Sequence, residues 1–213
     1  MVIINLSHYK GGVGKTTLAT NLAITLGASI LDLDGQQSSV LFNRLRVKNK
    51  HQPVECFTAD TVEDMKSIFR QFTGDKMLIV DSGGYDSDIN RFAMLSADML
   101  ITPVSPSQVE LFGLQKYELI LKEISQKYGR TFQTNVVINN ADIRSKAAIM
   151  QLKKFVVARS NFDMFKTVIH NRADYKKAYG EGVSVVELDS TSKAADEING
   201  FVREIRKELG NGN

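Results

Sequence analysis

The chain has 213 residues, a net charge of +3, 43% hydrophobic and 24% charged residues, which suits one globular domain with a sizeable core. Its single cysteine, Cys56, excludes a disulfide framework and a cysteine-built metal site. No apolar run approaches the ~20 residues that span a bilayer, and no signal peptide is visible at the start, so a cytoplasmic enzyme is expected.

Residues 2–6 (VIINL) form a short β-branched apolar run, as in a buried parallel strand. Residues 18–26 (LATNLAITL) put Leu18, Leu22 and Leu26 four apart beside Ala19 and Ala23, which makes a helix face. Between strand and helix lies GGVGKTT. Glycines there let backbone N–H groups turn inward around a phosphate, and the helix N-terminus adds partial positive charge. Gly11, Gly12, Val13, Gly14 and Thr17 would line the nucleotide, Lys15 would reach the β- and γ-phosphates of ATP, and the Thr16 hydroxyl would ligate Mg²⁺.

Further strands are expected at SILDLD (29–34), VECFT (54–58), MLIVD (77–81), DMLITPV (98–104), TNVVIN (134–139) and FKTVI (165–169). Helices are expected over 61–72, where Thr61 and Asp64 read as a capping box, and over 107–128, with Leu111, Leu114, Leu121 and Ile124 on one side. Two more fall near 145–158 and 191–209. The alternation predicts a doubly wound, mostly parallel α/β sheet with helices on both faces. With no linker or repeat in view, residues 1–213 are one domain. Ligands of such sheets sit beyond the strands' carboxyl ends. That singles out Asp81, which closes MLIVD before Ser-Gly-Gly and could hold Mg²⁺ or merely cap a turn, and Asp32 and Asp34, which close SILDLD.

The phosphate loop departs from G-x-x-x-x-G-K-[ST], because Tyr9 stands where the first glycine belongs. In its place is K-G-G-x-G-K-T-T, with Lys10 beside the glycines. This resembles the deviant Walker A loop of the ParA/MinD superfamily of ATPases. The resemblance implies that Lys15 serves its own nucleotide while Lys10 reaches across a dimer interface to the partner's. It makes Asp81 the Walker B aspartate, Asp34 the residue that orients the attacking water, and Asp32 a support of the metal site. Relatives read D-x-D-P-Q where Asp34 is followed by Gly35, which leaves this loop more flexible. PVSPSQVELFGL (103–114) and the stretch 167–198, with Ala178, Gly182 and Lys193, extend the likeness over most of the chain. It also puts Asn139 where relatives hydrogen-bond the adenine edge.

Residues 1–141 hold 14 basic and 14 acidic groups and residues 142–213 hold 13 and 10, so the whole excess of +3 lies in the last third. A localised basic face suggests a polyanion. The ParA branch implies non-specific DNA, with Lys193 and, around it, Arg172, Lys176, Lys177, Arg203, Arg206 and Lys207 as phosphate contacts. With a strand starting at residue 2, no N-terminal helix-turn-helix domain is expected, as in short ParA proteins. The reading is a nucleoid-associated partition ATPase, a homodimer with ATP and Mg²⁺ whose hydrolysis is stimulated by a ParB-type centromere-binding adaptor. Two alternatives stand beside it. One is a MinD-like membrane-associated ATPase, whose lipid contact would be the stripe Ile198, Phe201, Val202, Ile205 and Leu209. The expectation is that this stripe packs on the chain's own sheet. The other is a metabolic P-loop enzyme.

Overall fold

The computed structural model describes residues 1–211. In chain order the elements are β1 (Val2–Leu6), α1 (Lys15–Leu26), β2 (Ser29–Asp32), α2 (Ser38–Lys48), β3 (Cys56–Thr58), α3 (Val62–Gln71), β4 (Met77–Asp81) and α4 (Asp88–Ser96). They continue as β5 (Met99–Val104), α5 (Gln108–Tyr128), β6 (Thr134–Ala141), α6 (Lys146–Val157), β7 (Phe162–His170), α7 (Ala173–Glu181), α8 (Val185–Leu188) and α9 (Lys193–Asn211). The strands make one parallel sheet in the order β3-β2-β4-β1-β5-β6-β7. The chain runs from β1 out to β3, returns through β4, and crosses to β5 on the other side of β1. The order therefore reverses around β1, and the loops after β1, β2 and β4 open on one side of that switch point.

Both faces are covered because the strands are apolar on both sides. On one face, Leu18 and Leu22 of α1 and Ile198, Phe201 and Ile205 of α9 pack over Ile4, Leu6 and Ile79. On the other, Met65 and Ile68 of α3 cover Leu31, Leu78 and Val80, while Leu114, Leu121 and Ile124 of α5 cover Val104, Val136 and Ile138. Each such aliphatic side chain contributes about 1.5–3 kcal/mol by leaving water. The apolar stripe of α9 is thus spent on the core. Phe201 meets Phe165 edge-on at 4.9 Å, and a lipid surface would have to compete with that packing. No helix among the described residues is long and apolar enough to cross a membrane.

α9 also protects the sheet's free edge. Glu204 accepts the Lys166 and Thr167 amides of β7 at 2.6 and 2.8 Å, and Glu197 accepts the His170 amide at 3.1 Å. Those amides are consequently closed to a further strand.

The capping box forms as the spacing predicts, with Thr61 accepting from the Asp64 amide and Asp64 from the Thr61 amide. Four helices were not read from the sequence: α2, α4, α7 and α8. α2 lacks a local start signal, since Gln37 precedes it with φ 49° and makes no side-chain cap. Its first amides, on Ser39 and Val40, are satisfied by the Asp32 carboxylate at 2.9 and 3.3 Å instead.

Candidate nucleotide site

The loop between β1 and α1 takes its shape from two glycines in left-handed conformation, Gly12 (φ 78°) and Gly14 (φ 89°). Gly14 is required twice over, because a Cβ there would also stand 2.3 Å from the Asn139 amide nitrogen. That nitrogen donates to the Val13 carbonyl at 2.7 Å, so the end of β6 pins the loop from outside. On its other side, Gly84 approaches so closely that a Cβ would lie 2.6 Å from the Gly11 nitrogen. The Ser-Gly-Gly after β4 therefore packs on the loop's backbone at residues 10–11.

Lys15 opens α1 and is 5% exposed. Its amine donates to the Lys10 carbonyl at 3.0 Å, folding back over the loop it belongs to. Burial pushes its pKa down, and the charges of Asp81 and Asp34 pull it back up. An amine held by one carbonyl keeps donors for a phosphate.

Asp81 lies fully buried at the end of β4. One oxygen accepts the Ser39 hydroxyl at 2.9 Å, and the other, Oδ1, is buried with no partner. Burial is the main cause that pushes its pKa up to about 7, with Asp32 adding to it, while the Thr16 and Ser39 hydroxyls and Lys15 work against them. A buried carboxylate with an unused oxygen beside a threonine hydroxyl is the donor chemistry that a hard cation requires. Thr16 and Asp81 therefore fit Mg²⁺, either directly or through water.

Both oxygens of Asp32 are engaged by backbone amides. Its Oδ1 accepts the Asp34 amide at 3.0 Å, and its Oδ2 the amides of Ser39 and Val40. It is the clasp of the β2–α2 turn, and it acts on Asp81 chiefly through charge. Asp34 is half-buried and accepts the Gln36 amide at 3.0 Å, an Asx turn that leaves its second oxygen outside any hydrogen bond. Gly35 is exposed, with open space around its Cα.

A cavity of about 190 Å³ adjoins the loop, lined by Gly12, Gly14, Thr17, Asn139, Asn140, His170, Arg172 and Lys176 among others. It lies at the carboxyl ends of β6 and β7, where a base continuing from the loop would sit. Asn139, two residues before the end of β6, lines it with its amide nitrogen already engaged by Val13.

A family model described as the CobQ/CobB/MinD/ParA nucleotide binding domain matches residues 4–186. The chain belongs to this family. A curated relative, the maintenance of carboxysome distribution protein A of Halothiobacillus neapolitanus, is 27% identical over 207 residues, covering 94% of each chain. The fold is also that of apo McdA from Cyanothece, with a TM-score of 0.73, 19% identity and coverage of 96% of this chain and 98% of that one. MinD from Pyrococcus horikoshii, solved with Mg-ADP, gives a TM-score of 0.70 and 19% identity over 100% of this chain and 98% of its own.

The basic residues expected to meet DNA divide into two groups. Lys193, Arg203, Arg206 and Lys207 are exposed on α9, across the helix from its buried stripe, and Lys177 is exposed on α7. Arg172 and Lys176 instead line the cavity beside the loop. Glu197 engages the Arg172 guanidinium at 2.6 Å and matches its charge. Sequence reasoning also passed over Ser39, whose hydroxyl fixes Asp81, and the pair His8 and Glu110 around Lys10. For Ser39 the sequence carries no signal, because its partner is 42 residues away.

Proposed function

We propose that this family member is an ATPase that pairs on ATP and Mg²⁺, binds DNA without sequence preference, and positions a cargo by adaptor-stimulated hydrolysis. The observation that carries the nucleotide reading is the buried, unpartnered Asp81 Oδ1 facing a glycine loop that presents Lys15 and Thr16. Lys15 and the loop amides bind the phosphates, and the α1 N-terminus adds its partial charge. Thr16 and Asp81 hold Mg²⁺, which supplies neutralisation of the charge that develops on the phosphates. Asp34 orients the attacking water with its free oxygen. Asn139 keeps the loop in register with the base cavity, and the Gly83–Gly84 turn passes changes at the phosphates to the subunit surface.

Lys10 completes the site of a second copy. It lies in the same loop, but its amine is held by Glu110 of α5, while that of Lys15 stays on the loop's own backbone. The exposed α9 cations give each subunit a weak polyanion contact, and pairing two of them raises the effective concentration of the second. The relatives' names and the family support a positioning role, while the burial of the α9 stripe favours DNA over a lipid surface.

The test is co-sedimentation of the chain with unrelated DNA fragments or anionic liposomes, in Mg²⁺ with AMPPNP or ADP. DNA should retain the AMPPNP form at low salt and lose it as salt rises, and Lys193→Glu with Arg206→Glu should weaken every fragment alike. Retention by liposomes alone would transfer the chain to the membrane reading. Turnover at full rate with neither surface present would make it a metabolic P-loop enzyme.

A further inference from the structure

Within one subunit the Lys10 amine meets Glu110 Oε1 at 2.7 Å. Glu110 sits in the first turn of α5, and its side chain is 15% exposed against 32% for Lys10. The Lys10 stem passes over Gly113, where a Cβ would lie 2.9 Å from Lys10 Cδ and 3.1 Å from His8 Cε1. His8 accepts the Lys10 amide at Nδ1, 2.9 Å away, and stacks on Tyr117 with ring centroids 6.0 Å apart. Glu110, Gly113 and Tyr117 follow one another at helical spacings of three and four, so one face of α5 is shaped as a cradle for residues 8–10. Two of its atoms, Glu110 Oε2 and His8 Nε2, are buried without partners.

We propose that Glu110 is a cis latch on Lys10, holding it against its own α5 until a second subunit's nucleotide offers a stronger anion. This rests on the reading above that Lys10 acts in trans. The cradle fixes the stem over Gly113 and the amine on Glu110, a placement Lys10 cannot keep while extending to another molecule. Each subunit must therefore break a charge-assisted bond to pair, so the latch raises the concentration at which ATP-bound copies assemble. The Glu110 left behind stays tolerable, because its charge stands in the first turn of α5, at the positive end of the helix dipole. A population held closed in this way assembles only when both nucleotides are present to compensate.

Sedimentation velocity of the full chain with AMPPNP and Mg²⁺ tests this on wild type, Glu110→Gln and Lys10→Gln. Glu110→Gln should pair at a concentration lower by about ten- to a hundredfold, because two latches are removed per dimer and each has the roughly three- to tenfold scale of a partly exposed charge-assisted hydrogen bond. Equal or weaker pairing of Glu110→Gln, with Lys10→Gln monomeric, overturns the latch alone. Lys10→Gln pairing like wild type overturns the trans-lysine reading beneath it, and the latch with it. A second readout does not need assembly: amine-reactive labelling of Lys10, followed by mass spectrometry without nucleotide. Labelling should rise severalfold in Glu110→Gln and by less in Glu110→Asp, which keeps the charge on a shorter arm. Equal labelling in all three proteins overturns the contact.

Discussion

The two ends of the sheet carry cavities of opposite character. At the amino ends of β2 and β4 lies one of about 450 Å³, bordered by Arg46, Glu55, Lys76 and Glu187. Its buried charge is fully engaged: Arg46 donates to both oxygens of Glu187 at 2.7 and 2.8 Å, to the Gly182 carbonyl at 2.9 Å, and to the Gln52 carbonyl. At the carboxyl ends lie one of about 190 Å³ and another of about 450 Å³ lined by Thr16, Thr17 and Lys176 among others, and around the neighbouring loop Asp81, His8 and Glu110 each keep a buried atom without a partner. Glycines there bring backbone against backbone where side chains would not fit. Spare valence, not volume, separates a site prepared for a ligand from a gap in the packing.

The sharpest way to test that contrast is to replace one buried cation at each end with methionine. Lys15→Met should weaken AMPPNP binding in calorimetry by about 3–5 kcal/mol, the cost of removing one member of a buried charge pair. Its melting temperature should hold or rise, because a desolvated amine with a single carbonyl partner is a strain on the free protein. Arg46→Met should do the reverse. Unfolding free energy should fall by ~3 kcal/mol, the low end for a broken buried pair because Glu187 is 35% exposed, and AMPPNP affinity should be unchanged. If both variants lose stability alike, the contrast between the two ends is lost.

A pH series sharpens it further. Burial, with Lys15 and Lys10 nearby, lowers the His8 pKa from 6.5 to about 3. A depressed folded pKa means that the unfolded chain takes up the proton first, so His8's contribution is whole above pH 6.5 and is lost as pH falls toward 3. Thermal unfolding of His8→Asn should show a shallower slope than wild type from pH 6.5 downward, whereas Arg46→Met should change the slope only in the carboxylate range, where Glu187, held low by Arg46, takes up its proton. The smallest effect belongs to a residue at none of these cavities. Thr61→Ala removes the α3 capping box and should cost about 1 kcal/mol in denaturant titration, leaving nucleotide binding as it was.

By itself the sequence determined the elements whose signals are local. β1 and β4 were readable as apolar runs to their last residue, the start of α3 from Thr61 and Asp64, and the phosphate loop from glycines set between a strand and a helix. Only the tertiary structure decided the features whose partners are distant in the chain. α2 went unread because its cap, Asp32, lies seven residues away across a turn. Arg172 was expected at a DNA phosphate and Lys10 at the partner's nucleotide, and only the fold shows that α9 lays Glu197 against the one and α5 brings Glu110, a hundred residues further on, to the other. Propensity and periodicity act over one or two turns of chain. The pairing of charges is settled by whichever elements the core packs together, and that is decided when the sheet closes around β1.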